Sequence, residues 1–394
     1  MRRGFEYKVN NRYRTFIPSW VLFNIKNSLK LESSEIENNI SLIKSGRSGR
    51  IEKVEIPCVV DLSSERPESV KKALAEFVYS NIYEKELNQE IPLPFFFSEK
   101  DFIVFDLTKI EDRLKIRLCK MKRQGMKPKF KINQNQVIFE YRMLGTNKRT
   151  KKIIPLYITI DQDFSKEFGK WLGDRAGGPH KVGVSNKNFD FVLSFRKFLI
   201  NKIDQPESEI KINLTYNPKF KVPRKLMNKV DKMIVTKTQL GNYSFSVISS
   251  NKPLRDFVFD IIEKYWHVIL KNSKECARYG YYAGLFEADG SIDIKYPCWS
   301  FGLNLNSSSE TRILPKLNEC IRLKNLLKLD GFDPLISRKI SKTQNSYTLK
   351  YDLRIFRTKD KIREYKLFKE KILPNITHKE KISKFKMIRG DNFQ

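Results

Sequence analysis

Two acids, Asp174 and Asp289, stand at the same offset behind a pair of small residues spaced i,i+4. The strings are Gly169-Lys-Trp-Leu-Gly-Asp174 and Gly284-Leu-Phe-Glu-Ala-Asp289. Residues four apart share one helix face, so Gly169 with Gly173, and Gly284 with Ala288, form faces without side-chain bulk. Two such faces let helix backbones approach closely and bring the acids together at the helix ends. A carboxylate at a helix C-terminus opposes the macrodipole by about 0.3–1 kcal/mol, and its recurrence suggests a cation or a reaction that compensates it. The chemistry that fits is phosphodiester hydrolysis, which needs an activated water and a stabilised leaving alkoxide. Two metal ions bridged by carboxylates at the scissile phosphate supply both. Asp174 and Asp289 are the candidate ligands, with the carbonyls of Gly173 and Ala288, unsatisfied at helix C-termini, as further ones. Gly290 is expected to form the left-handed cap that follows.

The bulk charge agrees. The chain has 394 residues, 76 Lys and Arg against 45 Asp and Glu, and a formal net charge of +31. That excess points to a polyanion, nucleic acid before an anionic membrane. No run of about 18 apolar residues predicts a spanning helix, and the first residues lack the apolar core of a signal peptide. Cys58, Cys119, Cys276, Cys298 and Cys320 are odd in number and never spaced C-x-x-C. A zinc ribbon or disulfide scaffold is therefore not expected, and an intracellular, reducing compartment (cytoplasm or organelle matrix) is. With three histidines in the chain, any metal is expected to be a hard cation on carboxylates. His180 and His378 read as phosphate-side or surface groups, and Glu287 as a salt-bridging residue.

The two acids lie 115 residues apart, the period of a duplicated subdomain rather than of a solenoid. The first copy reads as a motif helix to Asp174, strand Lys181–Ser185, helix Phe189–Ile203, strands Glu209–Tyr216 and Asn242–Ile248, and helix Pro253–Leu270. The second reads as helix Glu275–Asp289, strands Ser291–Tyr296 and Trp299–Asn306, helix Arg312–Leu327, strands Leu335–Ser341 and Tyr347–Phe356, and helices Lys359–Ile372 and Lys379–Ile388. Period-2 alternation gives each sheet one apolar and one polar face. Leu349, Tyr351, Leu353 and Ile355 oppose Lys350, Asp352 and Arg354, and Ile210, Ile212, Leu214 and Tyr216 oppose Lys211, Asn213 and Thr215. A polar face rich in Lys, Arg and Asn suits a DNA major groove. Arg175, Lys181, Lys211, Lys295, Asn304, Arg338, Lys339, Lys350 and Arg354 are the DNA-contact candidates.

Tyr282-Ala-Gly-Leu-Phe-Glu-Ala-Asp-Gly290-Ser291 resembles the signature of the LAGLIDADG homing endonucleases, and the resemblance covers about residues 155–390. It implies an α+β fold of two αββαββα repeats forming a pseudo-twofold saddle. The expected parts are a basic α/β accessory domain of unassigned fold at 1–154, a first repeat at 155–272 and a second at 273–394 with a C-terminal helix. It also implies a monomer with an internal pseudo-dimer, Mg2+ as cofactor, and double-strand cleavage of a long DNA site. In the family a lysine lies between the last sheet-packing helix and the terminal helix. Lys379 fills that slot here, with Lys274 its counterpart in the first copy.

The first copy departs from the pattern. Arg175-Ala-Gly-Gly-Pro-His follows Asp174 where the family has Gly and a strand, and only 12 residues separate Asp174 from Asn186, against 18 from Asp289 to Ser307. Its first strand is expected to be shortened or lost, and its capping glycine moved to Gly177 or Gly178. The alternative reading is therefore a non-cleaving binder on the same scaffold, an intron-RNA maturase or a DNA-binding regulator. An intact intein is not expected, since Met1 and the ending Gly390-Asp-Asn-Phe-Gln394 lack splicing residues. Within 1–150, helices are expected over Pro18–Lys30, Ser33–Ile43, Pro67–Leu87 and Thr108–Arg123. A strand is expected at Phe102–Leu107 and a hairpin over Gln136–Met143 and Lys151–Ile160.

Overall fold

A computed structural model describes residues 6–9, 12–18, 41–43 and 59–61, and 91–388 apart from 93, 124, 126, 134, 143–147, 179, 238–241, 295–297, 308–312, 343–346 and 357–361. The chain mixes helix and sheet and divides into two compact units. One comprises 1–89, 303–325 and 334–353; the other comprises 90–302, 326–333 and 354–394.

In the first unit, β1 (Glu6–Val9), β2 (Arg12–Pro18), β3 (Ser41–Ile43) and β4 (Val59–Asp61) make an antiparallel sheet in the order β1-β2-β4-β3. Residues 41–43 are thus strand, where the sequence suggested the end of a helix. The expected helix over Pro67–Leu87 lies outside the described residues.

The second unit begins at Glu90 and includes the segment ahead of the first motif helix. β6 (Ile103–Asp106) pairs with β5 (Phe95–Phe97) on one side and with β10 (Tyr157–Ile160) on the other, so the expected second arm of the hairpin splits. Its first part stays with β7 (Lys129–Asn133) and β8 (Gln136–Arg142) as β9 (Arg149–Pro155), in the order β7-β8-β9. Helix α1 (Glu111–Arg123) follows a short 3-10 turn at Leu107–Ile110. The Phe139 ring stacks on Phe257 at 5.7 Å, and Asn251 Nδ2 donates to the carbonyl of Ile153 at 2.8 Å. These contacts bury Val137, Phe139 and Ile154.

The first motif helix, α2 (Gln162–Gly173), is started by Asp161, whose side chain accepts from Phe164 N at 2.9 Å. Capping by Asp satisfies a donor that the helix itself leaves open. Then come β11 (Val182–Asn186), α3 (Phe189–Asn201), β12 (Ile212–Tyr216), β13 (Lys232–Val235) and β14 (Tyr243–Ser249), in sheet order β11-β14-β12-β13. β13, parallel to β12, is an edge strand that the sequence pattern did not reveal. Ile210, Ile212 and Leu214 are buried while Lys211 is exposed, as alternation requires. The expected first strand is reduced to a single bridge, Arg175 to Val184, beside Ala176 N donating to the Gly183 carbonyl at 2.9 Å. Gly177 and Gly178, at φ +92° and +76°, turn the chain there.

After α4 (Asp260–Asn272) comes the second motif helix, α5 (Glu275–Asp289). β15 (Ser291–Asp293), β16 (Cys298–Ser307), α6 (Ile313–Leu329), β17 (Leu335–Lys342), β18 (Tyr347–Phe356), α7 (Ile362–Leu367) and α8 (Lys379–Met387) follow. Each repeat carries a π-helical turn in its last sheet-packing helix, Arg255–Phe259 in one and Phe368–Ile372 in the other. Phe286, Trp299, Phe301, Phe368 and Phe385 form the aromatic core behind α5.

Helices α2 and α5 touch backbone to backbone. A Cβ built on Gly169 comes 2.7 Å from the Tyr281 carbonyl and 3.0 Å from Leu285 N, and one on Gly284 would collide with the Lys166 carbonyl. Gly280, unnoticed in the sequence, is blocked likewise by Gln162. Gly284→Val is therefore expected to destabilise the chain by at least about 1–3 kcal/mol, since overpacking against backbone has no side chain to move aside. Gly178→Ala, facing open space at positive φ, is expected to cost about 1–2 kcal/mol from strain alone. Urea unfolding of both variants measures the difference.

Candidate active site

The glycine contact decides where the acids go. Gly173 lies against Ala288, and a Cβ built on it comes 3.7 Å from Asp289 Oδ2. Asp174 is the next residue, so the two carboxylates meet at the C-terminal ends of α2 and α5. Asp174 caps α2 with φ −117° and ψ 45°, and its carbonyl accepts from Ser185 N at 3.0 Å. Asn186, closing β11, donates its Nδ2 to Asp174 Oδ2 at 2.6 Å. Burial pushes the Asp174 carboxyl up to about 6, against the lowering effect of Asn186, and the Asp289 charge adds to the rise.

Gly290 does not form a left-handed cap: its φ is −71° and its ψ 149°. A side chain is excluded there because a Cβ would strike Phe286, whose Cγ lies 2.7 Å from the built position.

A third charged group joins the acids. Lys381 Nζ donates to the carbonyls of Phe286 and Glu287 at 2.6 and 2.7 Å, and lies 5.5 Å from the Phe286 ring centroid. A cation at the end of α5 is favoured by the helix dipole. Burial draws the Lys381 pKa down to about 8, opposed by the charges of Asp174, Glu287 and Asp289. The lysine directed at the acids is thus Lys381 and not Lys379, which is exposed at the start of α8. Periodicity holds the reason: Lys381 lies four and seven residues before Phe385 and Ile388, both buried, whereas Lys379 falls on the outer face.

Lys274 is also displaced from its expected place. It caps the N-terminus of α5, 3.7 Å from Asp101 Oδ2 and 4.9 Å from the Phe102 ring centroid. Asp289 ends the same 15-residue helix, about 20 Å away at 1.5 Å per residue. Arg175 stacks on Trp171 at 4.0 Å and pairs with Glu263, which fixes it beside α4. Lys181 and Lys211 are exposed; Arg354 is half-buried between buried Leu353 and Ile355. Lys295 lies outside the described residues. So do the side chains of Asn304, Arg338, Lys339 and Lys350, on β16, β17 and β18.

Glu287 does the bridging work read for it. Lys170 and Glu287 have fully buried side chains, 3.1 Å apart, linking α2 to α5. Lys170 also meets Glu167 at 2.9 Å and Ser194 at 2.6 Å. Glu287 Oε1 accepts from Thr377 N, from Thr377 Oγ1 at 2.7 Å and from His378 N at 2.9 Å. Burial raises the Glu287 carboxyl, but Lys170, Lys166 and Thr377 outweigh it and hold the group below its usual range. His378 caps α8, its Nδ1 accepting from Lys381 N at 3.4 Å, and burial lowers its pKa. His180 Nδ1 lies 3.0 Å from Lys252 Nζ. Neither histidine meets a carboxylate pair.

Two carboxylates at negative helix ends, one held near neutrality, form a donor set that suits a hard divalent cation. Among the described residues no three or more His, Cys, Asp or Glu gather into a metal-holding group. No described helix is long and apolar enough to cross a membrane.

No family model and no curated protein matches the chain. Among solved structures, a crystal structure of I-DmoI in complex with DNA and Ca is 13% identical at a TM-score of 0.30, over 52% of this chain and 88% of that one. Mesophilic variants of the homing endonuclease I-DmoI are also 13% identical, with a TM-score of 0.31 over 54% and 96%. A likeness of this size carries no information about chemistry.

The raised Asp174 carboxyl has a consequence for stability. Between its ordinary 3.8 and about 6 the folded chain binds more protons than the unfolded one. Its contribution to stability therefore falls as pH rises through that window and stays low above it. Asp174→Asn is expected to remove the fall and to stabilise the protein at pH 7 by on the order of 1–3 kcal/mol. Thermal unfolding at pH 4.5 and pH 7 checks it; equal loss of stability at both values would contradict the buried-acid account.

Proposed function

We propose that the chain is a site-specific double-strand DNA endonuclease of the LAGLIDADG type, acting as a monomer whose two repeats form an internal pseudo-dimer inside the cell. The observation that carries the reading is the meeting of Asp174 and Asp289 at glycine-packed helix ends, with a lysine ammonium beside them. A chain that only binds polyphosphate gains nothing from paired carboxylates. The net charge of +31 supplies the attraction for the substrate.

A divalent cation, Mg2+ in this reading, would be held by Asp174 and Asp289 with the carbonyls of Gly173 and Ala288, and supplies charge stabilisation and a more acidic water. The chain's own residues do the rest. Asn186 fixes the rotamer of Asp174 through its 2.6 Å hydrogen bond. Lys381 offers a cation to the anionic phosphate, a role the sequence pattern gave to Lys379. The polar sheet faces, carrying Lys181 and Lys211 in the first repeat and Arg354 in the second, contact DNA on either side.

A second reading, binding without cleavage to DNA or intron RNA, is favoured by one feature. The first strand of the first repeat has shrunk to the Arg175–Val184 bridge, which reduces the surface available for groove contact.

Selection of cleaved sites from a random duplex library with Mg2+ separates the two readings. Double-strand products are expected, and Asp289→Asn should lower the cleavage rate roughly 100-fold or more, since an interaction worth several kcal/mol is removed. Its affinity for DNA should stay within a few-fold of the parent chain. Normal cutting by Asp289→Asn would falsify the assignment of the site; tight binding with no product from any sequence would favour the binder.

A further inference from the structure

The sheet β7-β8-β9 presents two unlike faces. Val137, Phe139 and Ile154 are buried on one, where Phe139 stacks on Phe257. The register places Lys129 and Lys151 on either side of Glu140, Lys131 opposite Ile138, and Arg142 opposite Arg149. Alternation from the buried Val137 and Phe139 assigns all of these to the other face. Lys129, Lys131, Arg149 and Lys151 are exposed and Arg142 is half-buried.

Five cations therefore share this face with one acid. Among the described residues none of the five forms an ion pair. Directly opposed like charges, as in Arg142 and Arg149, weaken a sheet. A face serving solubility alone mixes signs, because interspersed charges avoid that repulsion. Side chains two residues apart on a strand stand about 6.6 Å apart, and adjacent strands about 4.8 Å, so the charges form a fixed grid. A rigid, regularly charged partner fits such a grid best.

We propose that the outer face of β7-β8-β9 is a phosphate-contacting surface for double-stranded DNA, additional to the polar faces of the two repeats. The surface rests on the DNA reading above, and it extends the contacted duplex beyond the segment those repeats cover. Its contacts are to backbone phosphates: the exposed lysines and arginines supply charge that fixes position, and the face's Asn133 and Gln136 sit together at one end of it. It belongs to the compact unit that starts at Glu90, so its lysines and arginines are carried on the same body as the acids.

The test uses the full-length chain and a quadruple variant, Lys129→Gln, Lys131→Gln, Arg149→Gln and Lys151→Gln. Binding to a long duplex is measured as a function of salt. Each lost phosphate contact lowers the slope of log K against log salt by about 0.9, so a decrease of about 2–4 is expected. The weakening should be similar for all sequences, and the protected stretch of duplex should shorten on one side. A second variant, Arg142→Gln with Arg149→Gln, removes the like-charge pair; it should keep or raise thermal stability while lowering the slope. An unchanged slope and footprint in both variants overturns the proposal. So does a loss of affinity for phosphatidylserine vesicles or single-stranded RNA with duplex binding intact. If the parent chain binds duplex but neither variant differs, only this surface is wrong. If the parent chain does not bind duplex DNA at all, the endonuclease reading itself fails.

Discussion

Contact between two helix backbones is the constraint from which the rest of the site follows. Gly169, Gly280 and Gly284 each face a carbonyl or amide of the other helix at a distance that excludes any side chain. Such closeness fixes the axial register of α2 and α5, because each glycine fits one place on its neighbour. Register then determines that Gly173 meets Ala288 and that Asp174 and Asp289 emerge together. Asp174 is hydrogen-bonded to Asn186, and the two acids stand at the ends of α2 and α5. The Asp289 charge adds to the rise in the Asp174 pKa, so holding the two acids together costs stability rather than adding to it.

The buried charges transmit that register to the third component. Lys170, taken wholly out of water, is neutralised by Glu167 and Glu287 from two helices. A buried pair of this kind contributes little net stability, but losing one partner strands the other, at about 3–5 kcal/mol. Glu287 uses its remaining capacity on Thr377 and His378, the turn that opens α8. The N-terminus of α8 is thereby tied to the end of α5, and Lys381 one turn on falls against the Phe286 and Glu287 carbonyls. The chain of contacts runs from α2 through Glu287 to the ammonium beside the acids.

Much of this was legible because it depends on periodicity. The i,i+4 small residues give the helix contact, and the 115-residue repeat gives the elements; alternation gives the buried Ile210, Ile212 and Leu214. What escaped was set by tertiary geometry. Lys379 and Lys381 are both lysines at the start of one helix, and only the buried Phe385 and Ile388 say which faces inward. Lys274 holds its expected place in sequence but stands at the wrong end of a straight helix. Gly290 is constrained by the Phe286 ring and not by its own φ, a requirement that no local pattern expresses. β13 is a parallel edge strand formed at long range, and parallel pairing leaves no turn signature nearby.

The ion pair between Lys170 and Glu287 occurs once, although the scaffold is doubled. At the offset of 115 residues, Lys170 corresponds to Leu285 and Glu287 to Leu172, so that offset carries no second ion pair of the same kind. Two copies of the first helix would bury lysines against leucines, and two copies of the second would bury glutamates in the same way. Self-pairing of the second helix would leave Glu287 buried without Lys170, whereas Lys170 keeps Glu167 of its own helix. The two helices thus carry unlike halves of one buried contact, each complementary to the other rather than to a copy of itself.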